Sequence, residues 1–249
     1  MAIPSKNIIK LQSTGSTNSY LAGRAIDLPH ATVVSTYNQT AGRGQRGNSW
    51  ESEPNKNLSF SVLLRPKNII ARQQFYLSEA VSIAIVNTLK RHIPNQKVSI
   101  KWPNDIYVND MKICGILIEN ILSGYNISQS IVGVGLNINQ QKFISDAPNP
   151  ISLTHFTKIT HSLDDILEKV TDEIVSTFDH YDSTQQFDTL HKEYCSKLWH
   201  KDGFYPYATP DGNRFDAQIA DVAPDGIITL RDTNNVYRSF AFKEVAAII

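Results

Sequence analysis

Apolar positions give the chain its first outline. Ile8, Ile9 and Leu11 form a short run that predicts a strand over 8–11. Ser16, Thr17 and Asn18 then offer the short polar side chains that cap a helix, predicted over 19–26. β-Branched residues predict a strand over 31–37. Leu58, Phe60, Val62 and Leu64 alternate with Ser59 and Ser61, the two-residue period of a half-buried strand. Leu77, Ala80, Val81, Ala84, Ile85 and Leu89 recur at helical spacing and mark a helix packed on a sheet. Further strands are predicted over 97–101, 105–108, 112–122 and 127–138, with Asn109-Asp110 and Ser123-Gly124 as hairpin turns. Pro148 and Pro150 interrupt the pattern. A second amphipathic helix carries Leu163, Ile166, Leu167, Val170, Ile174 and Phe178 on one face, and another helix is predicted over 184–198. Beyond His200 three strand-like runs, 214–222, 227–231 and 237–242, are separated by Pro224-Asp225-Gly226 and Asn234-Asn235. The outline is α+β, with a small all-β unit at the end.

Composition narrows the function classes. The chain has 249 residues, 41% of them hydrophobic, enough for one sizeable core or a large domain with a small one. Its 24 basic and 24 acidic residues balance, so nothing points to a protein that coats nucleic acid. Cys114 and Cys195 form no CxxC pair and read as reduced thiols. Residues 1–11 hold no apolar stretch suited to a secretory leader, and no run is long enough to span a membrane. The expectation is a soluble, cytoplasmic protein without membrane or DNA partners.

The chemistry lies in the breaks between elements. Residues 38–57 form a long polar segment containing Gly42-Arg43-Gly44-Gln45-Arg46-Gly47, which fits G-x-G-x-x-G. A dinucleotide-binding turn should open a helix, but Asn48 to Pro54 is poor helix sequence. What remains is a mobile loop with three glycines and two arginines, suited to an anion, or else a solvated hairpin loop. Trp50 at its end folds over a ligand or pins the loop to the core. Lys101-Trp102-Pro103-Asn104-Asp105 is a bend between strands, because Pro103 rules out a regular central strand. Its polar side chains suit phosphate and metal contacts, or an ordinary surface turn. Lys112 opens the next strand close to Gly115 and has either an escape to the surface or an anionic partner. In Val132-Gly133-Val134-Gly135-Leu136-Asn137-Ile138, period two sends the apolar residues to the core and Gly133, Gly135 and Asn137 to the other face. Such a face admits a flat ligand or a closely packed helix.

Taken together, Ser16-Thr17-Asn18, Gln39, the 42–47 loop with Trp50, Lys101 to Asp105, Lys112 with Gly115, and Gly133 to Asn137 resemble the biotin protein ligase family. The matching segments fall in the family's order over about 13–139, and the glycine-arginine loop combined with Lys-Trp-Pro-Asn-Asp favours the biotin branch over the lipoate ligases and octanoyl transferases. The resemblance implies a mixed, mostly antiparallel sheet with packed helices over 1–198, which binds biotin and ATP, and a barrel-like β domain over 199–249. It implies an enzyme that makes biotinyl-AMP and passes biotin to a lysine of a biotin carboxyl carrier protein or carrier domain. Ser16, Thr17 and Gln39 would hold the ureido head, with Asn18 also in the biotin site. Gly42, Arg43, Gly44, Gln45 and Trp50 would close over the chain and carboxylate. Gly115, Gly133 and Gly135 would let the ligand lie against the backbone. Arg46, Gly47, Asn104, Asn137 and Lys112 would face ATP. Lys112, Arg43, Lys101 and Asp105 would be the catalytic set, with magnesium arriving on the ATP phosphates. Many relatives carry arginine where this chain has Gln45 and Asn48; the first departure implies looser retention of the adenylate, and the second leaves Arg46, Lys101 and Lys112 to meet the ATP phosphates. The catalytic pattern begins by Ser13, which implies a form without an N-terminal DNA-binding domain. A lipoate or octanoate transferase and a non-catalytic biotin or nucleotide sensor are the rival readings, and the sequence leaves a homodimer open.

Overall fold

A computed structural model of the chain describes residues 7–145 and 148–248; the side chain of Arg46 lies outside the described set. In chain order the elements are β1 (Ile8–Leu11), α1 (Thr17–Ala22), β2 (Val33–Thr36), β3 (Leu58–Leu64), α2 (Phe75–His92), β4 (Val98–Lys101), β5 (Asp105–Val108), β6 (Met111–Ser123) and β7 (Asn126–Leu136). There follow α3 (Leu153–Thr157), α4 (Leu163–Thr184), α5 (Phe187–Ser196), β8 (Tyr205–Ala208), β9 (Arg214–Val222), β10 (Ile228–Asp232), β11 (Tyr237–Phe240) and β12 (Ala246–Ala247).

The first seven strands form one mixed sheet, ordered β1-β2-β3-β7-β6-β5-β4. Only β1 and β2 pair in parallel; every other neighbouring pair is antiparallel. The long α2 and α4 pack together on one face, over Phe60, Val62 and Leu64 of β3 and Val132, Val134 and Leu136 of β7. Burying each of these large side chains contributes roughly 1.5–3 kcal/mol. The short α1 covers the opposite face, where Leu21, Ala25, Val34, Leu63 and Ile131 make a second, smaller core.

This sandwich corrects the half-buried reading of β3, because all seven of its residues are buried. Ser59 and Ser61 face α1 rather than water. They look exposed in sequence because a hydroxyl signals solvent, yet Ser61 Oγ is paired inside, with Thr17 and Asn18. The other differences are local. Ser16 is the N-cap, its Oγ accepting from Ser19 N at 3.4 Å, so α1 begins two residues earlier than predicted and stops at Ala22. Helix α4 runs on to Thr184 and closes on Gln185 with φ 56°, which shortens α5 to Phe187–Ser196. Helix α3 had no periodic signal.

Trp199 and His200 lead into a second sheet, antiparallel throughout, ordered β11-β10-β9-β8-β12. Three of its five strands were predicted. β8 was missed because Pro206 breaks the strand signal, and β12 because two alanines carry none. No helix among the described residues is long and apolar enough to cross a membrane.

Candidate functional site

The register of the large sheet builds the site. Gly115 on β6 lies directly opposite Gly135 on β7, and Leu117 opposite Gly133. On the other side of β7, Ser59 and Ser61 of β3 face the same two glycines. The result is a trough floored by backbone and small side chains, on the face of the sheet away from α2. The trough opens into a cavity of ≈ 280 Å³.

One end of the cavity is polar. The Gln39 carboxamide Oε1 accepts from Thr17 N at 3.0 Å and Thr17 Oγ1 at 3.3 Å. Ser61 Oγ bonds Thr17 Oγ1 at 2.7 Å and Asn18 Oδ1 at 2.6 Å. Asn18 Nδ2 donates to Glu119 Oε2 at 2.7 Å and Leu117 O at 3.2 Å. Asn18 sits so close to β7 that a Cβ on Gly133 would lie 2.3 Å from its Oδ1. Asn18→Ala removes the bonds to Ser61, Glu119 and Leu117 O; at roughly 0.5–1.5 kcal/mol net for each, it is expected to cost about 1–3 kcal/mol in a denaturant melt. A change under about 0.5 kcal/mol, the low end for a single hydrogen bond, would show that this network is slack.

The other end carries charge. Lys112 Nζ and Asp105 Oδ1 are 2.7 Å apart, both side chains mostly buried. Asp105 pairs with Gly115, and the β5–β6 bulge between Ile106 and Tyr107 pairs Lys112 with Tyr107, which brings Lys112 to the face of the sheet that carries Asp105. Lys101 Nζ donates to Tyr107 OH at 3.1 Å and lies over the Trp199 ring at 5.4 Å. Burial lowers the Lys101 pKa, as does nearby Lys112; Asp105 pulls the other way. The Trp102–Pro103 peptide is cis, and Trp102 Nε1 donates to Gly226 O at 3.0 Å, tying the bend to the second sheet. Asn104 Nδ2 is held by Ile116 O at 2.6 Å.

Trp50 crosses the middle. A Cβ on Gly135 would lie 2.2 Å from its Cε2, and one on Gly115 3.0 Å from its Cζ3, so the indole lies flat on the glycine floor. Its Nε1 is buried and has no acceptor. Trp50 N donates to Gly42 O at 3.0 Å, closing the loop at its base, and Gly44 N donates to Asn48 O at 2.6 Å.

The cavity therefore brings together Ser16, Thr17, Asn18, Gln39, Arg43, Gly44, Gln45, Trp50, Lys101, Asn104, Asp105, Lys112, Gly115, Gly133 and Gly135. Three expected residues do not line it. Gly42 backs onto the Trp50 backbone, and Gly47 stands at φ +89° in open space. Asn137 is 2% exposed and donates from Nδ2 to Ile151 O at 3.1 Å. The alternation holds through Ile138, which is in the main core, but the segment at Ile151 and Leu153 packs on Asn137 and takes it out of the cavity. Arg43 lines the cavity but turns outward, to Glu119 at 3.4 Å and Ser19 Oγ at 3.2 Å. Arg46 lies outside the described side chains.

Sequence reasoning missed Glu119, Ser61, Trp199 and the wall from the second sheet, Phe242 and Val245 to Ala247. The first two were within reach: Glu119 follows Gly115 and Leu117 at period two, and Ser61 is on the serine face of β3. The C-terminal wall had no sequence signal.

A two-faced α+β sheet with a backbone-floored, charge-ended cavity defines a ligand-cradling fold. Residues 10–137 match the model of the Biotin/lipoate A/B protein ligase family, and the chain belongs to that family. It is 33% identical over 147 residues to the bifunctional ligase/repressor BirA of Salmonella typhimurium, covering 59% of this chain and 45% of that one. It is 35% identical over 130 residues to the biotin–[acetyl-CoA-carboxylase] ligase of Paracoccus denitrificans, covering 51% and 53%. The chain thus spans about half the length of the curated relatives it matches. In fold it is similar to the biotin protein ligase of Aquifex aeolicus solved in complex with biotin and ATP: TM-score 0.79, 23% identity, 97% of this chain and 98% of that one covered.

Proposed function

We propose that this chain is an ATP-dependent biotin protein ligase acting in the cytosol. The observation that carries the proposal is the order of chemistry along one cavity. Hydrogen-bonding groups at Thr17, Gln39 and Asn18 lie at one end, a glycine floor under the apolar Trp50 indole in the middle, and Lys112 with Asp105 at the other. Biotin has the same order: a polar ureido ring, an aliphatic chain and a carboxylate.

No side-chain nucleophile is required. The biotin carboxylate oxygen attacks the α-phosphorus of ATP, and the bond to the bridging oxygen breaks to release pyrophosphate. The carrier lysine, as free amine, attacks the carbonyl of the mixed anhydride; AMP leaves and the amine proton passes to solvent. Lys112 would hold the carboxylate and the charge that grows on the α-phosphate. Asp105, 2.7 Å away, fixes its position. Magnesium fits as a passenger on the triphosphate: among the described residues lining the cavity Asp105 is the one carboxylate, and magnesium commonly uses one or two carboxylates with phosphate oxygens. Arg43 would contribute on loop closure, exchanging Glu119 for the ligand's anion. Closure would also keep water from the anhydride.

The test is pyrophosphate release from ATP with biotin, lipoate or octanoate, followed by transfer to a biotin carrier domain. Release with biotin and transfer to the lysine are expected. Release with lipoate or octanoate instead moves the chain to the other branch of its family, and binding without release makes it a sensor.

The loop gives a separate check. Ordering three glycines is costly, so the ligand must offset it. Amides of residues 42–48 are expected to exchange rapidly in the empty protein and to slow at least tenfold with biotin and ATP together. Gln45→Arg is expected to prolong the adenylate-bound state. Full protection without ligand would make the loop a fixed structural element.

A further inference from the structure

We propose that His191, Cys195 and Asp221 form a zinc(II) site that clips α5 to β9. It lies apart from the ligand cavity, where α2, α5 and the second sheet meet. Among the described residues, these three bring their ligand atoms within 4.8 Å of one another.

The helix makes the first half of the site. His191 and Cys195 are four residues apart on α5, so both side chains leave the same face. Cys195 Sγ is 3.4 Å from His191 Nε2 and 4.0 Å from Nδ1, so Nε2 is the nitrogen turned toward the sulfur. Asp221 Oδ1, from β9, reaches the same nitrogen at 3.0 Å. With bonds of roughly 2.0–2.3 Å, neighbouring ligand atoms on a tetrahedral zinc lie about 3.3–3.7 Å apart. The sulfur–nitrogen edge is already in that range. The nitrogen–oxygen edge needs a few tenths of an ångström, which the mostly exposed Asp221 side chain can give.

The other side of the imidazole supplies an independent argument. His191 Nδ1 lies 2.8 Å from Glu79 Oε1 on α2, and the Glu79 side chain is 0% exposed. Its second oxygen has no hydrogen-bond partner. A carboxylate buried this deeply keeps its charge only against a cation or a strong donor. A histidine that donates Nδ1–H to such a carboxylate is fixed with its lone pair on Nε2, the arrangement that ligand histidines adopt on metals. Thiolate, imidazole and carboxylate together suit zinc, and three protein ligands leave a fourth position for water. Coordination displaces the thiol proton and any proton shared between His191 and Asp221, both released to solvent. Without metal, a proton shared between His191 and Asp221 holds the same groups together. The two states differ in whether the thiol ionises, which can be measured.

The probe is cobalt(II), added to the full chain stripped with chelator, with zinc(II) as competitor. One cobalt per chain is expected, with a thiolate-to-cobalt charge-transfer band that stoichiometric zinc removes. Cys195→Ser should abolish the band, and Cys114→Ser should leave it, since that thiol is buried in the main core. Asp221→Asn should weaken binding by at least the roughly 10–100-fold that groups holding a ligand histidine are worth. Absence of the band in the native chain, its survival in Cys195→Ser, or unchanged affinity in Asp221→Asn each overturns the proposal. None of these readouts depends on ligase activity.

Discussion

Lys112→Ala is expected to slow ATP-dependent pyrophosphate release by about a hundredfold, the loss that follows removal of one preorganised charge contact in a transition state. The position is rigid: Lys112 N donates to Asn149 O at 2.9 Å and Lys112 O accepts from Ile151 N at 2.9 Å, so the backbone is gripped beside the strand as well as within it. The ammonium is thus delivered to one place, beside Asp105 and 5.7 Å from the Trp50 ring. Lys112→Arg should not restore the rate, because a planar guanidinium does not reproduce a compact ammonium wedged against Asp105. Biotin affinity should fall less than the rate, since the charge develops on the phosphate. Normal pyrophosphate release in the alanine variant would remove Lys112 from the chemistry, and a melting temperature equal to the native one would rule out unfolding as the cause of a loss.

Gly135→Val has the second large effect: a folded chain that no longer binds biotin. The new Cβ would overlap the Trp50 indole at 2.2 Å, so the ring must leave the floor. The ladder does not have to break, because Gly135 sits mid-sheet between Ser59 and Gly115 and valine favours strands. Gly115→Ala, where the nearest ring atom is 3.0 Å away, should be milder. Isothermal titration with biotin and a thermal melt separate the outcomes. Normal binding by a folded Gly135→Val chain would mean that the trough is not the biotin seat, and unfolding would mean that the glycines serve packing.

How much of this was legible follows from where each signal resides. The glycine face of β7 and the hairpins before it were readable, because period two and turn residues are local properties of the sequence. Gly115 and Gly135 could not be known to be partners, since register is a property of the pair. Asn137 does not reach the cavity because the segment at Ile151 and Leu153 packs on it, a contact that alternation along β7 cannot show. Ser59 and Ser61 read as solvated, although both are buried and α1 side chains bond Ser61. Trp50 reads either as a cover for a ligand or as a pin for the loop; its indole lies on the glycine floor, which pins the loop there. The contribution of Phe242 and Val245 to the wall belongs to tertiary contact alone. Nothing in their neighbourhood separates them from other residues of a small β sheet.

The central pairing also has a kinetic consequence. β3 and β7 stand side by side, Leu58 against Leu136 and Leu64 against Ser130, yet the whole of α2 and three strands intervene in sequence. Contacts between such distant segments require a large loop to close before they return any energy, which slows folding. The trough exists only after that closure. A chain emerging from the ribosome can form the β4–β5 and β6–β7 hairpins early, but it has no closed trough until β3 has docked. Ligand should therefore leave the refolding rate almost untouched and act mainly by slowing unfolding.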